Sequence, residues 1–185
     1  MPASASFDHP ALPLIRRAFP DAAMTVTEFR GQTTVVAPAA SVHHLLRFLR
    51  DCPDCNFDSL VDLSGIDYLG YPAPQPGRFA IVYQLLSTTT GRRLWVKAHL
   101  DPTLDTSGID EDPGLTIDSV TGLWPAAEWA EREVFDMFGI RFRGHPDLRR
   151  LLLWKDYPGH PLRKDYPLRG RGERENFAFI ARSDA

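Results

Sequence analysis

The chain reads as an α+β protein: a two-layer domain of α-β-β-α-β-β-β order, with a mainly antiparallel sheet and helices on one face. A further helix and an extended C-terminal arm follow. Three observations predict this. Apolar residues recur at helical spacing around residues 11–19 and 41–50. Alternating, β-branched stretches joined by short turns fill the space between and after them. Beyond residue 140 the pattern loses periodicity and is punctuated by Gly-His-Pro turns. With 185 residues, 43% of them hydrophobic, the chain can bury one good core, so a single domain (1–140) with an arm (141–185) is expected.

The first nine residues carry no clear pattern and read as loosely ordered. In Ala11–Phe19, Leu12, Ile15 and Phe19 share a face and Pro13 fits the opening turn. Met24–Arg30 and Thr33–Ala37 are β-branched and joined across Gly31, the mark of a hairpin. Ser41 is placed to cap a second helix in which Val42, Leu45, Leu46 and Leu49 align, ending where Pro53 forbids continuation. Leu60–Leu63 and Ile66–Leu69 are strand segments either side of Gly65, read as a bulge or bend. Gly70–Gly77, with three prolines, is a loop. Arg78–Ser87 and Arg92–Leu100 form the clearest strand pair. The first is apolar on both faces and so is expected to be more central; the second alternates. Asp101–Gly114 is an acidic loop and Leu115–Val120 a last short strand. Pro125 opens, and Gly139 ends, a helix of about four turns with Ala127, Ala130, Val134, Met137 and Phe138 on its buried stripe.

Charge is distributed unevenly. Residues 141–174 hold ten Lys/Arg against four Asp/Glu, while the remainder holds eleven against twenty. A basic extension on an acidic body marks a contact surface for something anionic. The longest apolar runs are far shorter than the roughly 20 residues that cross a bilayer. No basic leader with an apolar block opens the chain, and only two cysteines occur. A cytosolic or cytosol-facing protein is therefore expected.

The chemistry-bearing residues are few. Glu131, Glu133 and Asp136 suggest a catalytic or metal cluster, but Glu131 and Glu133 sit on different sides of a helix and cannot converge on one ion. They read instead as a solvated or partner-facing surface, with Arg132 able to bridge Glu128 and Asp136 at i±4. His145 and His160, each in a Gly-His-Pro turn, lack a second ligand at zinc spacing and read as structural or interface histidines. Cys52-Pro53-Asp54-Cys55 has the dithiol spacing, yet the helix precedes it, where a thiolate-stabilising site needs a helix to follow. Structural loop cysteines are the simpler reading, and a stand-alone dithiol redox protein the rival. Arg149, Arg150, Arg163 and Lys164 could meet phosphates, but interleaved aromatics for base stacking are lacking, so no nucleic-acid partner is expected. Neither a phosphate-binding Gly loop nor a nucleophile elbow nor a His-Glu-x-x-His helix occurs.

Residues 128–140 (Glu-Trp-Ala-Glu-Arg-Glu-Val-Phe-Asp-Met-Phe-Gly-Ile), with Gly144–Arg150 and Gly159–Leu168, closely resemble the signature of the 30 kDa subunit family of respiratory complex I. In bacteria this is the C-type subunit of NADH-quinone oxidoreductase. Phe135 stands where the family pattern usually has Tyr. The resemblance implies a structural subunit of the peripheral arm, without catalytic residues, metal or cofactor of its own, in a proton-translocating complex. NADH, FMN, iron–sulfur clusters and quinone belong to the holocomplex. It further implies packing against the 49 kDa (D-type) subunit and the B-type subunit, and membrane association only through the complex, on the cytoplasmic face of the bacterial inner membrane. Arg132, Glu133, Asp136, Phe138, Arg149, Arg150, His160, Arg163, Lys164 and Asp165 are the expected partner contacts. The arm looks too extended to fold back on its own domain. Related subunits occur in membrane-bound hydrogenases and ferredoxin-linked complexes, which is the alternative setting.

Overall fold

The order α1 (Ala11–Ala18), β1 (Thr25–Phe29), β2 (Gln32–Pro38), α2 (Ala39–Asp51), β3 (Ser59–Asp67), β4 (Phe79–Leu86), β5 (Arg93–Leu100) builds a five-stranded sheet. A short β6 (Thr116–Asp118), α3 (Ala127–Phe138) and β7 (Arg141–Arg143) follow. The structure, a computed structural model, describes residues 8–104 and 111–173. Most of the N-terminal stretch, the middle of the acidic loop and the end of the arm lie outside the described residues.

The strands lie in the order β1-β2-β5-β4-β3, all neighbours antiparallel except the parallel pair β2 and β5. That exception follows from α2, which carries the chain from β2 across the sheet to β3. The expected α+β architecture is thus present, mainly antiparallel, with the helices on one face. β5, not β4, is the middle strand. The apolar second face of β4 has a local cause: the small, buried Ala80 is flanked across the sheet by His99 and Ile66.

The expected elements survive with shifted ends. The β1–β2 hairpin turns on Arg30 and Gly31, both at positive φ (52° and 76°), a geometry that matches the twist of the strands. Ser41 does not cap α2. The helix begins at Ala39 behind Pro38, and the Ser41 hydroxyl donates to the Pro38 carbonyl at 3.1 Å. Ala39 and Ala40, good helix formers, extend the helix past the expected cap. β3 is one strand rather than two, and its irregularity falls between Leu60 and Asp62 instead of at Gly65. The extra residue, exposed Val61, lets Leu60 and Leu63 both face the core. Gly65 serves packing: a Cβ there would come within 2.7 Å of the Phe138 ring.

The core gathers Leu45, Leu46 and Leu49 of α2, alternate residues of β2, β4 and β5, and Val134 and Phe138 of α3. β6 and β7 form a separate parallel pair, and Phe142 of β7 is buried with this core. Body and arm therefore share packing across residue 140. On the opposite sheet face Thr34, Val36, Val82, Gln84, Trp95, Lys97 and His99 are half-buried.

Candidate functional site

The last turn of α3 and the arm behind it form a dense polar constellation. A helix ends with carbonyls that have no partner inside it. Gly139 closes α3 in the left-handed conformation (φ 74°), its N–H donating to Phe135 O. The next three carbonyls are taken by the arm. Asp136 O accepts from His160 Nδ1 at 2.9 Å, Met137 O from the Leu162 amide at 3.2 Å, and Phe138 O from Arg163 Nε at 2.6 Å. Positive guanidinium charge at this end also suits the helix dipole.

Asp136 ties the same helix to the next part of the arm. Its fully buried carboxylate accepts the amides of Leu151, Leu152 and Leu153 on one oxygen, at 3.0, 2.7 and 2.9 Å. Its other oxygen accepts from Arg150 Nη1 at 2.8 Å. Burial alone would raise its pKa, but these donors outweigh burial and hold the carboxyl below its ordinary value. Arg150 reaches on to Tyr157 O at 2.7 Å. Arg132, instead of bridging Glu128 and Asp136, donates to the carbonyls of Arg149 (3.1 Å) and Arg150 (3.2 Å). His145 Nδ1 accepts the Asp147 amide, so Nε2 carries the proton it shares with Glu128 O at 3.0 Å.

A third tie sits at the end of β3. Asp67 accepts from Arg78, from the Leu69 amide and from the Lys164 amide, while Arg78 also pairs with Asp165 at 2.9 Å. Burial opposes ionisation here too, and the donors led by Arg78 again bring the pKa below its ordinary value.

Glu131 stands apart. It is fully buried, accepting from Ser119 Oγ and the Val120 amide, both at 2.7 Å, with no cation beside it among its hydrogen-bond partners. Burial pushes its carboxyl up to about 7. The buried Tyr83 hydroxyl, with no hydrogen-bond partner among the described residues, is raised by burial and then by the Glu131 charge.

The expected solvated or partner-facing surface of Glu131, Glu133 and Asp136 is thus corrected: Glu131 and Asp136 are interior and only Glu133 is exposed. The picture of an arm too extended to fold back is corrected as well. After β7, residues 145–165 lie along α3 and the end of β3, held by separate hydrogen bonds rather than by a helix or a strand ladder. Of the expected partner contacts, Arg132, Asp136, Phe138, His160 and Arg163 are buried, and Arg150 and Asp165 are ion-paired within the chain. Glu133, Arg149 and Lys164 remain exposed. Two features were not foreseen, the role of Asp67 and the burial of Glu131. Glu131 had a signal, since Ala127, Glu131, Val134 and Phe138 fall at 4-3-4 spacing on one face. Asp67, at a strand end, had none.

The cysteines are free, and burial, helped by the neighbouring Cys52, pushes the Cys55 thiol up to about 12. Such a thiol is poorly suited to thiolate chemistry near neutral pH. Among the described residues no group of three or more His, Cys, Asp or Glu side chains could hold a metal ion, and no helix is long and apolar enough to cross a membrane.

Comparison with known proteins adds the following. The model of the respiratory-chain NADH dehydrogenase 30 kDa subunit family matches residues 35–172. The C-type subunit of NADH-quinone oxidoreductase from Roseiflexus sp. (strain RS-1) is 45% identical over 154 residues, covering 83% of this chain and 80% of the relative. Its counterpart from Citrifermentans bemidjiense is 42% identical over 156 residues, covering 84% and 87%. Among solved structures, the trypsin-resistant fragment (1–134) of Nqo5 aligns with a TM-score of 0.62 at 31% identity, covering 76% of this chain and all of the fragment. A chain of the membrane-bound sulfane sulfur reductase, an archaeal respiratory membrane complex, aligns with a TM-score of 0.63 at 25% identity, covering 84% and 83%.

Proposed function

The chain belongs to the family of the 30 kDa subunit of respiratory-chain NADH dehydrogenase, and on that premise we propose that it is a structural subunit of the peripheral arm of a proton-translocating NADH-quinone oxidoreductase. The observation that carries this is the family match across the α3 signature and the arm, together with C-type relatives at 42–45% identity. In this reading the chain belongs to an oxidoreductase assembly and performs no chemistry of its own. NADH, FMN, iron–sulfur clusters and quinone are bound by other subunits. Its neighbours are the 49 kDa (D-type) and B-type subunits, and it reaches the cytoplasmic face of the bacterial inner membrane only through them. The body up to residue 140 acts as scaffold, and the stretch from 141 onward makes the partner contacts. Supporting this, the arm is fastened to α3 by fixed hydrogen bonds, which presents its outer side as a shaped surface.

The test is purification of the tagged chain from cell membranes with identification of what accompanies it, and assay of NADH–quinone electron transfer in a deletion strain. The D-type and B-type subunits should co-purify, and activity should be lost on deletion. The Cys52→Ser/Cys55→Ser chain should restore it fully; failure of that rescue would favour the dithiol rival. A chain recovered alone would end the assembly reading.

The likeness to the sulfane sulfur reductase favours a second setting, an equivalent subunit in a complex with another electron donor. Backbone similarity does not separate the two, since the TM-scores are nearly equal. Sequence identity favours the first.

A further inference from the structure

Beside α3 lies an open recess of about 390 Å³ lined by Phe135, Leu148, Arg149, Arg150, Leu153 and Lys155. Its floor is apolar and its rim cationic, and no carboxylate lines it among the described residues. Arg150 is already neutralised by Asp136. Among the described residues Arg149 pairs with Asp147 alone, in an exposed pair at 2.8 Å, of a kind that contributes little and is readily exchanged. Lys155 is exposed and has no ion pair among the described residues. The walls are fixed in advance. Asp136 holds the amides of Leu151–Leu153, and Arg132 holds the carbonyls of Arg149 and Arg150. Leu152, in the same turn, stands 64% exposed.

We propose that this recess is a docking socket for an acidic segment of a neighbouring polypeptide, which inserts one large apolar side chain between Phe135, Leu148 and Leu153 while its carboxylates meet Arg149 and Lys155. The inference rests on the assembly role proposed above and deepens it by assigning the surface and the chemistry of what lies on it. An apolar anchor inside a charged rim is how specific protein contacts are built. Walls whose backbone is pinned by internal hydrogen bonds lose little entropy when the recess is filled. A bilayer surface is a poorer occupant, since polybasic membrane segments gather four to eight cations and this rim offers two.

The test uses the native assembly from cells whose only copy of the chain is tagged. Arg149→Glu/Lys155→Glu should cut recovery of the accompanying subunits at least fivefold, while Arg16→Glu/Arg17→Glu, the same charge change on exposed α1, leaves it unchanged. A photo-crosslinking amino acid at position 155 should form its adduct with a segment bearing Asp or Glu beside a large apolar residue. Equal loss in both charge variants, an adduct with lipid, or an adduct with a segment lacking carboxylates would overturn the socket. If the wild-type chain co-purifies but position 155 forms no adduct, the socket falls and the assembly role stands. If the wild type does not co-purify, the assembly role falls first.

Discussion

Two buried titrating groups pull stability in opposite directions with pH. Glu131, raised to about 7 from an ordinary 4.5, holds its proton longer in the folded state. Folding is therefore favoured below the ordinary value, and that advantage is lost as pH rises toward 7. His160 behaves in the reverse sense. Burial, aided by Arg163 and Arg150 and opposed by the bond to Asp136 O, pushes it down to about 4 from 6.5. The unfolded chain then binds more protons between those values, so stability present above 6.5 is lost as pH falls through 4. Wild type should show a shallow pH dependence near pH 5–6 because the two oppose each other there. Glu131→Gln removes the charge while its oxygen accepts from the Val120 amide and its NH2 donates to the Ser119 hydroxyl, reversing that bond; its melting temperature should exceed wild type at pH 8 and match it at pH 5. His160→Gln should flatten the loss on acidification instead. Parallel melting curves at all pH values would refute both assignments. Asp136→Asn is a harsher change, because an amide offers one acceptor where four donors converge. It should cost about 3 kcal/mol in denaturant unfolding, since three interior amides lose acceptors and the half-buried Arg150 loses its counter-charge.

At the scale of elements, the C-terminal end of α3 is the junction to probe. Gly139 and Gly31 share nearly the same positive φ, but a Cβ at 31 meets open space while one at 139 would lie 2.6 Å from His160 Nε2. Gly31→Ala should cost about 1 kcal/mol from backbone conformation alone. Gly139→Ala should cost clearly more, and the excess measures how firmly the arm is seated; equal losses would mean it is not. Gly65→Ala should destabilise by about 1–3 kcal/mol by overpacking against Phe138. Most elements were legible because periodicity reports which face is buried: α1, α2 and the β4–β5 pair followed from it, while the end of α3 followed from Gly139 and its start lies at Ala127 rather than Pro125. The arm was not legible, because its partners are backbone amides and carbonyls. Those exist at every residue and leave no mark in the side-chain pattern. Asp136 illustrates this: its carboxylate looks like a surface charge until three consecutive amides are found around it.

For the molecule as a whole, the family signature was the readable part of the function. The blocks 128–140, 144–150 and 159–168 turn out to be the two sides of one contact, α3 and what wraps it. Expected on sequence grounds to touch partners, most of these residues touch each other. That division of labour makes a separate prediction. Truncation before Arg141 should destabilise the body itself, not merely detach it from an assembly, because Phe142 and the caps of α3 are removed together. A shortened chain that melts like the full one would contradict it.

Leu151, Leu152 and Leu153 lie outside any helix or strand, yet their N–H groups are sequestered by a single interior carboxylate. In heavy water those three protons should linger as long as those of a sheet, embedded in a segment that otherwise equilibrates with solvent quickly. They form a natural gauge: any influence that lifts the tail off its helix will announce itself there before the globular body registers a change.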